Sequence, residues 1–419
     1  MDEHLRPPRP GLGLRGRRRA DRRARVRHDA GNEGKGTAVT DPKALLDWVT
    51  EHREDLLSDL RTYVELESPS GDKESLNTTL AWLGSWLEER LGEPERVSRV
   101  DGGVHGDIEV RDYPGTGDRP VLLLCHYDTV WPLGTLAEIP FRIDGDRGTG
   151  PGIFDMKSGL VHAVWALKAL DAAGLPRPRI RLLLNGDEEI GSLASRPVIE
   201  AEARDAAAAL VFEASADGAI KTARKGVGIF RVDATGVEAH AGLDPEKGCS
   251  AIDEIARVVL TLHGLTDLSR GTSVNVGIIE GGTGTNVAAG RASARIDVRV
   301  ASQEEVGRID RAFAELRPHD PRATLTVSGG WNRPVMERTP TTVALYERAR
   351  DIAAELGIQL DEISVGGASD GNFVAALGIP VLDGFGAVGD GAHARHEHIS
   401  VRGMLERTAL AAATLTALA

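Results

Sequence analysis

Leu122-Leu123-Leu124-Cys125-His126-Tyr127-Asp128-Thr129-Val130 is an apolar run that ends in an imidazole and a carboxylate. The run reads as a strand over 120–125, and the residues after it read as the loop where that strand leaves a sheet. In extended backbone, residues two apart share a side, so His126 and Asp128 face the same way. Asp128 can then accept the proton of one imidazole nitrogen, or hold nearby groups, while the other nitrogen is left to bind a metal. Taken alone, the couple reads more simply as an ordinary surface or core pair.

Outward from this strand the pattern is rhythmic. Asp41-Pro42 is an N-cap followed by proline at the first helical position, and Leu45, Leu46, Trp48 and Val49 keep helical spacing after it. A second helical pattern covers 76–91. Beyond the His126 strand come a helix over 158–173, a strand over 180–184, a helix over 192–203 and a strand over 209–212. This alternation predicts an α/β layered core, a mixed sheet with helices on both faces. Between 226 and 333 the order changes to strand (228–235), helix (251–265), two strands (272–280 and 292–300), helix (304–316) and strand (323–327). That order predicts a separate four-stranded α+β unit. A helix over 341–355, an apolar run over 379–382 and a helix over 401–418 then resume the first rhythm. The second unit is therefore inserted: residues 225–334 interrupt a domain made of 41–224 and 335–419.

With 419 residues the chain has room for two or three domains. It has no uninterrupted apolar run of the roughly 18 residues that a membrane helix needs. Cys125 and Cys249 are its only cysteines, which argues against a disulfide framework and for a reducing cytoplasm. A net charge of −13 argues against general nucleic-acid binding. Residues 1–40 go the other way, with Arg15-Gly16-Arg17-Arg18-Arg19 continuing to Arg27. The stretch lacks apolar periodicity and is expected to be a disordered basic tail, either solvated or translated from a start upstream of Val39, rather than a tether to RNA or membrane.

Four further places carry metal-binding side chains where strands run out into loops. Gly150-Pro151-Gly152-Ile153-Phe154-Asp155-Met156-Lys157-Ser158-Gly159 turns tightly before a helix and leaves Asp155 at its mouth, where an N-cap is the plainer reading. Gly186-Asp187-Glu188-Glu189-Ile190-Gly191 comes directly after a strand. Adjacent glutamates in extended backbone face different ways, so one can ligate while the other addresses a water; the plainer reading is a solvated acidic turn. Glu213 ends the strand 209–212, where a surface acid is equally ordinary. Ala392-His393-Ala394-Arg395-His396-Glu397-His398 packs three histidines into six residues, and such tracts are often only exposed.

Together these segments resemble the zinc-dependent exopeptidases and deacylases that include glutamate carboxypeptidase, aminoacylase and succinyl-diaminopimelate desuccinylase. The resemblance runs collinearly from about residue 41 to the C-terminus: His126-x-Asp128-Thr129-Val130, Gly150-Pro151-Gly152-x-x-Asp155-Met156-Lys157, Asp187-Glu188-Glu189-Ile190-Gly191-Ser192, Glu213, Ala239-His240-Ala241-Gly242, Asn286, Asp297-Val298-Arg299, Arg333-Pro334, Gly366-Gly367-Ala368-Ser369-Asp370 and His393-x-x-x-Glu397. It implies two zinc ions per chain, with cobalt or manganese as substitutes. Asp155 would bridge them, His126 and Glu213 would complete one site, and Glu189 and His393 the other. Glu188 is then the general base and Asp128 the support of His126. The resemblance also implies a homodimer formed through the inserted lid, with His240 of each copy stabilising the oxyanion in its partner's site. Arg333 would clamp the free carboxylate of a small N-acyl amino acid or peptide substrate, with Asn286, Arg299 and Gly367 at that end. It further implies a cis peptide after Asp155.

The glutamate carboxypeptidase branch is the most similar, through the Phe212-Glu213 to Lys221 spacing, the Gly366 stretch and the helix after Ile399-Ser400. It implies release of a C-terminal amino acid, glutamate among the candidates. Lys221 reads first as one cation of a basic run with Arg224 and Lys225, and second as a partner for a side-chain carboxylate. The chain departs from the branch at its last ligand, where His396 and His398 compete with His393 for the register. Cys125 reads as a packing residue beside His126. An aminoacylase, dipeptidase or desuccinylase is the nearest alternative, and a zinc-binding protein without turnover is one of another class.

Overall fold

The computed structural model describes residues 41–419, and the expectation for the basic stretch 1–40 lies outside the described residues. The central sheet has six strands in the order Arg96–Val100, Ile108–Tyr113, Pro178–Asn185, Thr116–His126, Ala208–Val211 and Val381–Leu382. The last four are parallel and the first two run antiparallel along one edge. Burial on both faces explains why the central strands are apolar without alternation. Along the His126 strand, Val121, Leu123 and Cys125 join one apolar cluster, while Leu122 and Leu124 join another on the opposite face. The first cluster is closed by the helices Pro42–Glu51, Arg53–Glu65, Lys73–Leu91, Ser158–Ala173 and Val401–Ala417, the second by Arg196–Ala203 and Gly371–Ala376. The expected mixed sheet with helices on both faces is the architecture observed.

Between Gly226 and Arg333 a four-stranded antiparallel sheet forms in the order Ser273–Gly281, Arg291–Val300, Gly226–Thr235, Thr324–Arg333. The helices Ala251–His263 and Gln303–Ala314 cover one of its faces and enclose a separate apolar cluster.

Local differences from the sequence-based expectations have physical causes. The last strand of this sheet extends to Arg333, past Ser328-Gly329-Gly330, a stretch that looks like a turn; Gly329 holds φ +89 against the Ile229 backbone on an edge strand, where such residues are tolerated. The helix expected from 192 begins at Arg196, because Ser192 sits at φ +54 in a turn ahead of it. The strands Arg96–Val100 and Ile108–Tyr113 carry too many charges to be legible as strands.

Candidate metal centre

Three neighbouring parallel strands end at one edge of the central sheet, and each delivers a ligand-type side chain there. His126 closes its strand, Asp187-Glu188-Glu189 comes after Pro178–Asn185, and Glu213 after Ala208–Val211. This is the carboxyl edge, where open α/β sheets leave a crevice. Asp155 arrives from the glycine turn. Gly152 adopts φ +70, and a Cβ there would come 2.6 Å from Thr129 Cγ2, so the turn requires glycine. The peptide Asp155-Met156 is cis, as the resemblance implied, and Asp155 caps no helix.

His126 is 3% exposed. Its Nδ1 lies 3.0 Å from the carbonyl oxygen of Asp128 and 3.3 Å from Asp128 Oδ1. Nδ1 therefore carries a proton, and Nε2 points to Asp155 Oδ1 and Glu213 Oε1, each 3.4 Å away. On the other side of Asp155, His393 Nε2 is 3.3 Å from Asp155 Oδ2 and 3.0 Å from Glu189 Oε2. Asp155 thus stands between two imidazoles, one carboxylate oxygen to each. His396 instead lies 3.7 Å from Asp390, and His398 Nδ1 lies 3.0 Å from the His396 carbonyl, so of the three clustered histidines it is His393 that the fold brings to Asp155.

Buried polar atoms normally find partners. Here His126 Nε2, Asp155 Oδ1 and Glu189 Oε1 are buried with none, and these three residues offer donor atoms within 4.8 Å of one another. The charges say the same. Burial pushes Glu189 up to about 7, and burial followed by the charges of Glu213 and Asp370 pushes Glu188 well up. Hydrogen bonds to Asp155 and Glu189 push His393 up to about 10. His126, which burial alone would depress, is carried well above its usual range by Asp128, Asp155 and Glu213. A crowd of carboxylates that recruits protons onto two imidazoles is short of positive charge, and divalent cations held by imidazole and carboxylate ligands fit that deficit.

Glu188 also comes within 4.8 Å of His126 and Glu213. Its Oε1, however, accepts from Arg333 Nη2 at 3.1 Å, whereas Glu189 keeps an oxygen without a partner. The two glutamates are therefore unequal, and Glu189 is the better ligand. Asp128 sets both of them: Oδ1 accepts from the Glu188 N–H and Oδ2 from the Glu189 N–H, at 3.2 Å each, with Ser70 Oγ donating to Oδ2 at 2.7 Å.

Arg333 differs from the substrate clamp that the resemblance implied. It is 3% exposed, and its guanidinium donates to the carbonyl of Gly191, the hydroxyl of Ser192 and the carboxylate of Glu188, with Asp370 Oδ1 at 3.2 Å. Asp370 also accepts from Asn185 Nδ2 at 2.8 Å and from Ser192. Ser70, Asn185, Ser192 and Asp370 support the site, and none of them is legible as a functional residue in the sequence. The only signals were their places in family motifs, Ser192 closing the Asp187 motif and Asp370 the Gly366 stretch, and a motif position by itself names no partner.

His240, Asn286, Arg299 and Gly367 are not joined to this cluster by any hydrogen bond or ion pair among the described residues. His240 and Asn286 are exposed, and their loops are tied together by the Ala241 N–H donating to the Asn286 carbonyl at 2.9 Å. Arg299 pairs with Asp297 at 2.9 Å, and the carbonyl of the exposed Gly367 accepts from Arg224. The basic run separates by strand alternation. Arg224 is buried in a two-point pair with Asp383, whereas Lys221 has no carboxylate within 4.0 Å among the described residues. Burial and the nearby Arg224 pull the Lys221 ammonium down, against the charges of Asp383, Glu213 and Asp155. Cys125 packs into the first apolar cluster, as expected.

The family model for peptidase family M20/M25/M40 matches residues 122–417. Carboxypeptidase G2 of Pseudomonas sp. (strain RS-16) is 31% identical over 389 residues, which cover 90% of this chain and 93% of that protein. Among solved structures, aminopeptidase PepT of Bacillus cereus superimposes with a TM-score of 0.70 at 24% identity, covering 87% of this chain and 98% of that one. The YXEP protein of Bacillus subtilis, described as a dinuclear metal binding peptidase, superimposes with a TM-score of 0.62 at 17% identity over 88% of this chain and 99% of that one.

Proposed function

The chain belongs to peptidase family M20/M25/M40, and from that premise we propose that it releases a C-terminal amino acid, glutamate among those accepted, from an N-acyl or peptide substrate. The observation that carries this reading is the cluster of partnerless ligand atoms on His126, Asp155 and Glu189 beside a glutamate, Glu188, that is tethered instead by Arg333. A binding protein has no use for a tethered, unligated carboxylate next to its ligands.

His126, Asp155 and Glu213 would hold one zinc ion, and Asp155, Glu189 and His393 the other, with cobalt or manganese able to substitute. Bound metal supplies Lewis-acid polarisation of the scissile carbonyl and makes water acidic enough to attack near neutral pH. Glu188 takes the proton of the attacking water and passes it to the leaving nitrogen. Arg333 and Asp370 keep its carboxylate oriented for both transfers.

His240 supports the carbonyl oxygen as it gains charge. Its Nδ1 accepts from the N–H groups of Gly242 and Leu243, at 3.1 Å each, so Nε2 carries the ring proton and is a donor. The exposure of His240 supports a homodimer in which the lid, residues 225–334, carries His240 to the partner's site. The edge strand Ser273–Gly281 and the helix Ala251–His263 leave Ile278, Ile279, Leu260 and Ile252 exposed, a surface suited to pairing with a second copy. Asn286, Arg299 and Gly367 are assigned to the substrate's carboxylate end, and Lys221 to the side-chain carboxylate of glutamate. Two unpaired cysteines are in keeping with a cytoplasmic protein, and no helix among the described residues is long and apolar enough to cross a membrane.

Glu188→Gln tests the core of this reading. It should abolish hydrolysis of N-acyl glutamates while the purified protein holds about two metals per chain. Loss of metal in this variant, or unchanged turnover, would remove Glu188 from its role.

A further inference from the structure

Glu397 is 1% exposed, and no cation lies within 4.0 Å of its carboxylate among the described residues. A buried carboxylate is costly unless it is hydrogen-bonded, and this one has four donors. Oε1 accepts from the backbone N–H of Phe154 at 2.9 Å and of Asp155 at 3.1 Å. Oε2 accepts from the Gly152 N–H at 3.0 Å and from Trp131 Nε1 at 2.8 Å. All three backbone donors belong to the glycine turn, and one of them is the N–H of Asp155, which stands between the two imidazoles. Trp131 belongs to the loop after His126, and Glu397 itself lies four residues beyond His393.

One side chain therefore joins three loops, each carrying a ligand: His126 from the first, Asp155 from the second and His393 from the third. Within the turn it grips, the Lys157 N–H donates to the Gly152 carbonyl at 2.9 Å, but Asp155 and Met156 have non-helical angles, and the partner of the Asp155 N–H is Glu397. His393 is itself held at φ +61, which a non-glycine residue adopts only when its surroundings impose it. The Glu397 N–H donates to the Ala394 carbonyl at 2.9 Å, and the Ala394 N–H to the Gly391 carbonyl at 2.8 Å, so two successive turns tie His393 to Glu397.

We propose that Glu397 is the positioning residue of the metal centre, a buried anion that sets Asp155 and His393 at a common distance before any metal arrives, so that the Glu189 and His393 site in particular is preorganised. The inference rests on the two-metal reading given above. Its consequence is a defect in metal affinity, because the carboxylate touches neither substrate nor reacting atoms.

The experiment is a zinc titration of chelator-stripped wild type, Glu397→Gln and Trp131→Phe against a chromophoric competitor, together with urea unfolding of each stripped protein. Glutamine keeps the shape but turns an N–H pair toward a donor, so one side of the cradle is lost. The expected result is one zinc per chain bound about 10- to 100-fold more weakly in Glu397→Gln, with the other site and the urea midpoint little changed. Two zinc ions bound as tightly as in wild type, or a fall in the urea midpoint with no site-specific change in zinc affinity, overturns the proposal. Should Glu397→Gln not fold, Trp131→Phe decides: removal of one neutral donor should weaken the same site by about 2- to 10-fold, and unchanged affinity rejects the role. A wild-type protein that takes up no second zinc would instead remove the two-metal reading itself.

Discussion

Arg333 Nη2 lies 3.1 Å from Glu188 Oε1, and the residue that donates this hydrogen bond is the last of the four-stranded sheet. Its guanidinium is buried with Glu188 on one side and Asp370 on the other. Arg333→Met leaves two buried carboxylates unpaired, which should cost about 3–5 kcal/mol of stability in urea unfolding of the metal-loaded protein. In the Glu188→Gln background one of those charges is gone, so the same substitution should cost less, with a coupling of about 0.5–3 kcal/mol across the double-mutant cycle. Strict additivity would separate Arg333 from Glu188 energetically.

His240 should matter for rate rather than for binding. His240→Ala is expected to lower kcat by about 10²–10³ with little change in KM. Mixing it with Glu188→Gln protein and allowing subunits to exchange should restore activity, since one of the two sites in a mixed dimer then receives an intact His240 and an intact Glu188. No recovery on mixing would place His240 in the site of its own chain.

Lys221 is expected to discriminate among substrates. Lys221→Met should reduce kcat/KM for substrates ending in glutamate by about 10- to 150-fold, the worth of one hydrogen bond to a charged group, and leave those ending in alanine nearly untouched. An equal loss on both would return Lys221 to a structural part.

The metal-free protein should lose stability as pH rises. His393 titrates at about 10 in the fold against an ordinary 6.5, so the folded state binds the extra proton between these values. That contribution is complete below about 6.5 and disappears as pH climbs through about 10. Glu189, raised to about 7, acts in the same direction at lower pH. Thermal melts of stripped protein from about pH 6.5 to 9 should show a falling Tm. Zinc-saturated protein should not show that fall, because bound metal already holds the imidazoles deprotonated.

Much of the centre was legible because its ligands sit at strand ends. Hydrophobic runs over 120–125, 180–184 and 209–212 locate strands from local pattern alone, and in a parallel sheet their carboxyl ends must meet at one edge. His126, Glu188, Glu189 and Glu213 are therefore near neighbours once the strands pair. The glycines marked the tight turn around Asp155, but its own pattern read as an N-cap, and only the family resemblance implied it as a ligand. The four-stranded sheet between Gly226 and Arg333 was legible from its order of strands and helices, although Ser328-Gly329-Gly330 concealed half of its last strand.

What the sequence determined by itself is the inventory of the site: which residue types stand at which strand ends, and so which chemistry the chain can perform. Tertiary structure alone decided who is paired with whom. His393, which its spacing to Glu397 already favoured over His396 and His398, is brought to Asp155 by where a loop lands, Arg333 is turned onto Glu188 and Asp370, and Glu397 reaches back to the backbone of Asp155, 242 residues away. Local pattern cannot carry this information, because a buried charge is assigned to a partner only when the fold removes water and leaves it no other.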